Sequence, residues 1–174
     1  MILYAAVRLM GLVLHSLPLT AGYFIADRVA DAVAVMHLYG GPACIIDFGT
    51  ATTFNALTKE GDYLGGAITA GINLAAEALY THAAKLPRID LQKPPSVIGR
   101  NTTHAMQSGL IFGYVSMVEG MVERFGRELG PQMKVIATGG LAELVAKETP
   151  VIQVHAPWLT LDGLRFIWEL NQAS

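Results

Sequence analysis

Apolar and polar positions follow two different periods along this chain. Residues 27–39 read Asp-Arg-Val-Ala-Asp-Ala-Val-Ala-Val-Met-His-Leu-Tyr, which puts Val29, Val33 and Met36 on one face at helical spacing before Gly40-Gly41-Pro42 ends the run. The pattern then shortens, and residues 43–48, 51–57 and 63–69 read as strands. Their connections, around Gly49-Thr50 and over 58–62, are short and glycine-bearing, which predicts consecutive antiparallel pairing. Residues 70–85 form an alanine- and leucine-rich helical pattern, while Pro87, Pro94 and Pro95 make 86–96 an irregular connection. A long helical region covers 102–128, although Gly109, Gly113 and Gly120 lower its propensity. A strand at 133–137, a helix at 141–147, a strand at 151–154 and a closing helix at 161–171 follow. This order predicts an α/β fold, a mixed sheet covered by helices. No internal repeat, low-complexity tract or composition shift divides it.

Residues 1–26 depart from this regularity. Arg8 is their only charged side chain, and 9–14 read like the apolar centre of a signal peptide. Against a leader, Arg8 lies inside the apolar stretch rather than before it. His15, Ser16 and Pro18 also interrupt the run short of the ~18–20 apolar residues that a membrane span needs. The segment reads as a buried helix or strand whose natural partner surface need not be part of this chain.

Composition narrows the class. With 174 residues, 52% of them apolar and 15% charged, and a mean hydropathy of +0.42, the chain is neither disordered nor a coiled coil. Twelve Lys and Arg stand against 14 Asp and Glu, the isoelectric point is near 6.2, and no basic run occurs. Neither a nucleic acid nor a membrane is therefore an expected partner. The single cysteine, Cys44, cannot form an internal disulfide, and no Cys/His cluster has zinc spacing, so a cytoplasmic location is expected.

Four stretches carry candidate chemistry. In Asp47-Phe48-Gly49-Thr50-Ala51-Thr52-Thr53, Gly49 permits close backbone approach, the threonines supply hydroxyls suited to phosphate, and Asp47 suits a hard cation. The same stretch also reads as a threonine-rich hairpin with nothing bound. Thr138-Gly139-Gly140 lies between a strand and a helix, where N–H groups can meet phosphate; a tight turn needs glycine there as well. Gly65-Gly66 with Gly71 reads as a second close-approach loop or as packing between strand and helix. Asp27-Arg28 opens a helix, where Asp27 is either a cap or a proton acceptor at the edge of a phosphate site, with Arg28 as an anion clamp. The histidines lack metal spacing, no Walker A sequence occurs, and Met106, Met117 and Met121 read as core.

Taken together, the sequence resembles the type III pantothenate kinases, the family that also contains the Bvg accessory factor proteins. The resemblance rests on Asp47-Phe48-Gly49-Thr50-Ala51-Thr52-Thr53-Phe54, Tyr63-Leu64-Gly65-Gly66-Ala67-Ile68 and Ala83-Ala84-Lys85-Leu86-Pro87. It continues through Gly99-Arg100-Asn101-Thr102, Gln107-Ser108-Gly109, Ala137-Thr138-Gly139-Gly140-Leu141-Ala142 and Leu159-Thr160-Leu161-Asp162-Gly163-Leu164, in family order over about 23–172.

The resemblance implies an actin-like kinase (ribonuclease H-like) fold, mainly its C-terminal βββαβαβα lobe, over 23–174, with 1–22 atypical for the family. It implies phosphorylation of pantothenate to 4'-phosphopantothenate, the first step of coenzyme A biosynthesis. ATP with Mg2+ and a monovalent cation, K+ or NH4+, would be required. By residue, Asp27 resembles the catalytic base, Arg28 and Thr102 resemble pantothenate contacts, and Asp47 resembles the monovalent-cation ligand. Gly49, Thr50 and Thr52 resemble a phosphate loop, and Thr138, Gly139 and Gly140 the adenosine-side loop. Thr102 would reach a partner subunit's pocket, which implies a homodimer.

Several positions depart from the family. The opening Asp-x-Gly-Asn-Thr phosphate loop does not occur in residues 1–21, Ile25 stands where the family has glycine, Asp31 where asparagine is common, and Ala70 where proline is common. A catalytically impaired binding or regulatory protein, or a truncated gene product, is therefore the alternative expectation.

Overall fold

In a computed structural model, residues 19–83 and 85–172 are described, with backbone alone for 19–25. Of residues 1–26, read as a buried helix or strand, 1–18 lie outside the described residues and 19–26 open a helix. The elements are α1 (Leu19–Leu38), β1 (Ala43–Phe48), β2 (Ala51–Leu57), β3 (Tyr63–Ala70), α2 (Ile72–His82) and α3 (Thr102–Leu129), then β4 (Lys134–Thr138), α4 (Ala142–Ala146), β5 (Val154–His155) and α5 (Leu159–Gln172).

The strands form one sheet in the order β3-β2-β1-β4-β5. Only β2 runs against the rest: it pairs antiparallel with both β1 and β3, whereas β1, β4 and β5 are parallel. Because strand side chains alternate, β1 feeds two separate cores. Cys44, Ile46 and Phe48 join Phe54, Val135 and Ala137 beneath α3. Ala43 and Ile45 join Ile136 beneath α1 and α5, which bring Val33, Val35, Leu159 and Phe166. Met106 is buried, and Met117 and Met121 pack at the edge of the α3 core, as core residues rather than a binding groove.

Several boundaries differ from the sequence expectation: α1 begins at Leu19 rather than 27, and β4 is Lys134–Thr138 rather than 133–137. Ala70 ends β3, because it pairs with Ala51, and α2 starts only after Gly71 and stops at His82. Gly65-Gly66 lies inside β3 rather than in a loop; a Cβ on Gly66 would collide with the Phe54 carbonyl, so these glycines serve strand packing. The last strand is Val154–His155 rather than 151–154. The Thr149 hydroxyl accepts from Val151 N, and Gln153 Oε1 takes the N–H of Val135, so side chains occupy the polar groups that a longer ladder would use.

Candidate active site

The C-terminal edge of the parallel strands gathers the polar loops. In the register of the sheet, Asp47 on β1 stands opposite Thr53 on β2 and level with Thr138 on β4. Side chains in register share a face, so Thr53, Asp47 and Thr138 form a row of oxygen atoms with a strand spacing of ~4.8 Å. Asp47 shares the face of Ile45, the side covered by α1.

Helix α1 brings two more carboxylates to that side. Asp27 and Asp31 are four residues apart, on one helical face. Asp27 is exposed, while Asp31 is 1% exposed and accepts a hydrogen bond from Thr160 Oγ1 on α5 at 2.7 Å. Burial pushes Asp31 up to about 7, despite the Thr160 bond, and the charges of Asp47 and Asp27 add to the rise. Asp47 is raised for the same reasons: burial first, then the charge of Asp27. The three carboxylates thus act on one another across the space between α1 and the end of β1.

Two loops close on this edge. Gly139 adopts φ +91°, and a Cβ there would fall 2.5 Å from Asp47 Oδ1 and 2.7 Å from Phe48 N. Only glycine lets the β4 loop lie against the Asp47 carboxylate. At the β1–β2 turn, Gly49 and Thr50 are exposed; Gly49 N donates to Ala51 O at 3.1 Å, and the Thr50 carbonyl accepts from Gly71 N at 3.0 Å. A Cβ on Gly71 would collide with the Gly49 and Thr50 carbonyls, so Gly71 lets the start of α2 brace the turn.

The structure therefore brings Asp27, Asp47, Gly49, Thr50, Thr138, Gly139 and the exposed Gly140 to one edge of the sheet. Arg28 follows Asp27 on the same turn of α1 and is partly buried. Thr52 points the other way. It is 1% exposed, and its hydroxyl bonds to the Tyr114 hydroxyl on α3, whose own proton affinity is raised by burial and held back by that bond. Thr53, missed as a site residue, is the threonine that faces Asp47; hairpin register was the signal that could have found it. Thr102 is not part of the cluster either: it opens α3 beside the N-cap Asn101, twelve residues and ~18 Å of helix from Tyr114. Asp31 and Thr160 were not singled out as a pair. The four-residue spacing from Asp27 pointed to Asp31, whereas nothing local paired Thr160 with it.

Asp47 with the hydroxyls in its row is an oxygen-donor set of the kind a hard cation takes. Among the described residues, no group of three His, Cys, Asp or Glu side chains could hold a metal ion, so the described donors do not make an all-protein cage. Among the same residues, no helix is long and apolar enough to cross a membrane.

A five-stranded sheet in 3-2-1-4-5 order with its second strand reversed, and polar loops at the C-terminal edge of the parallel strands, defines the ribonuclease H-like core of the actin-like class. Within that class, the chain belongs to the type III pantothenate kinase family, whose model matches residues 20–124. It is 54% identical over 148 residues to the type III pantothenate kinase of Roseiflexus sp. (strain RS-1), covering 85% of this chain and 58% of that protein. The type III pantothenate kinase of Roseiflexus castenholzii (strain DSM 13941 / HLO8) is 54% identical over 147 residues, with 84% and 58% covered. The crystal structure of a conserved Baf family protein from Campylobacter jejuni matches in fold, with a TM-score of 0.61 at 22% identity, over 86% of this chain and 65% of that one. The chain thus spans less than two thirds of the length of the curated relatives it matches.

Proposed function

We propose that this chain carries the proton-accepting and phosphate-facing part of a site that phosphorylates pantothenate with ATP. The observation that carries the reading is the convergence of Asp27 and Asp47 with the 49–50 turn and the 138–140 loop on one sheet edge, in a chain of this family.

In the proposed reaction, the proton of the pantothenate hydroxyl passes to the Asp27 carboxylate. The hydroxyl oxygen forms a bond to the terminal phosphorus of ATP, and the bond from that phosphorus to the bridging oxygen breaks, releasing ADP. Phosphoryl transfer needs positioning and charge neutralisation more than covalent help, which suits a site made of one base, hydroxyls and backbone N–H groups. Gly49 and Thr50, with Thr138, Gly139 and Gly140, line the nucleotide side. Arg28 clamps the pantothenate carboxylate, and Thr102, exposed at the start of α3, serves the pocket of a second copy in a homodimer. Asp47 would hold a monovalent cation, K+ or NH4+, which, like Mg2+ on the phosphates, would supply neutralisation of negative charge. The cytoplasm, where both substrates occur, is the proposed location.

The test is formation of 4'-phosphopantothenate from ATP and pantothenate with K+ and Mg2+, followed by mass. Asp27→Asn is expected to lower kcat by about 10²–10⁴-fold, the usual worth of a general base. The departures from the family pattern at Ile25 and Asp31 favour a second reading, a binding or regulatory protein without turnover. Pantothenate or nucleotide binding by calorimetry with no product would support that reading, and an absence of both binding and product would sink the kinase proposal.

A further inference from the structure

The crossing of α1 and α5 lies one helical turn from Asp27. At the crossing, a Cβ on Gly163 would collide with the Ala30 carbonyl, so the two backbones touch. Beside this contact, Thr160 Oγ1 donates to Asp31 Oδ1 at 2.7 Å across 129 residues of sequence. Farther along, the His37 and Phe166 rings lie 4.0 Å apart. Leu159 and Phe166 are otherwise in apolar company with Val33 and Val35, so a hydroxyl and a carboxylate are the polar link within a greasy seam. Asp27 itself lies one helical turn before Asp31 and is exposed.

We propose that Asp31 and Thr160 are a positioning pair, which pins the turn of α1 carrying Asp27 and Arg28 and so aims the Asp27 carboxylate at the end of β1. The hydrogen bond gives the crossing one rotational setting. Apolar packing of Leu159 and Phe166 would hold the helices together without specifying that setting. The effect on chemistry rests on the reading of Asp27 as the proton acceptor, whereas the effect on the turn does not.

The test compares Thr160→Val, which keeps the shape and removes the donor, with Thr160→Ser and Asp31→Asn, which keep a donor and an acceptor. In the purified full chain, amide hydrogen exchange by mass spectrometry is expected to accelerate over 27–31 in Thr160→Val while 43–57 keeps its wild-type protection. Thr160→Ser and Asp31→Asn are expected to restore the wild-type pattern. If the wild-type chain turns over pantothenate, Thr160→Val should lower kcat on the order of 10–100-fold with a smaller change in KM, the cost of a misaimed group. Equal acceleration across 27–31 and the sheet would reveal general loosening and overturn the proposal, as would unchanged exchange in Thr160→Val. A wild-type chain without turnover would count against the kinase reading alone, and the exchange pattern would still decide the positioning claim.

Discussion

Burial against α5 and the charges of Asp47 and Asp27 hold the Asp31 carboxyl at about 7, where an unfolded aspartate sits near 3.8. Between those two values the folded chain keeps a proton that the unfolded chain has released. The folded state therefore binds more protons across this window, and stability falls as pH rises from about 4 to about 7, then levels off. The total is on the order of 4 kcal/mol, and Asp47, raised for the same reasons, acts in the same direction. Urea unfolding at pH 5 and pH 8 should show the loss in the wild type and a smaller one in Asp31→Asn, because the amide carries no charge and still accepts from Thr160. Equal losses in both proteins would place the pH dependence elsewhere. At this scale Asp27, Asp47 and Gly139-Gly140 stood out because each sits in a contiguous motif, whereas Gly65-Gly66 left loop and packing open and the structure shows packing. Thr160 lies in a recognisable motif, but its partner Asp31, 129 residues away, was hidden. The sequence misdirected on Thr52, because a run of three hydroxyls does not say which of them faces α3 and bonds to Tyr114.

Among the elements, the strand pattern was the most legible, and β1 and β2 begin and end where alternation placed them. β5 was not, because an apolar run after Pro150 looks the same whether its neighbours' polar groups meet its backbone or side chains intervene, as Thr149 does by taking Val151 N and Gln153 by taking Val135 N on β4. The pairing of α1 with α5 was also hidden: both read as helices, and nothing in either pattern names the other as partner. Gly163 makes that pairing close enough for backbone contact. Gly163→Ala should improve helix propensity in isolation, yet destabilise the folded chain by about 1–3 kcal/mol as the new methyl drives the helices apart. Thermal unfolding measures the sign directly, and a rise in Tm would show that the crossing has slack.

For the molecule as a whole, one face of the sheet is unevenly covered. Helices α1 and α5 lie over β1 and β4, while on the same face Ile68, across from Thr53, remains 62% exposed. Among the described residues, the Asp47 row thus has a helix on one side and the exposed Ile68 of β3 on the other, and Asp27 and the 49–50 turn are exposed as well. An unshielded reaction edge has a chemical cost, since water is an alcohol's smallest rival for a phosphoryl group and nothing described here keeps it out. Under the proposed chemistry, the chain on its own should squander ATP. Inorganic phosphate should appear alongside, and in excess of, any ester, and the ratio of the two should fall when a second copy or another protein roofs the edge. Tracking both products in one reaction would show how well this half-covered hearth is sheltered.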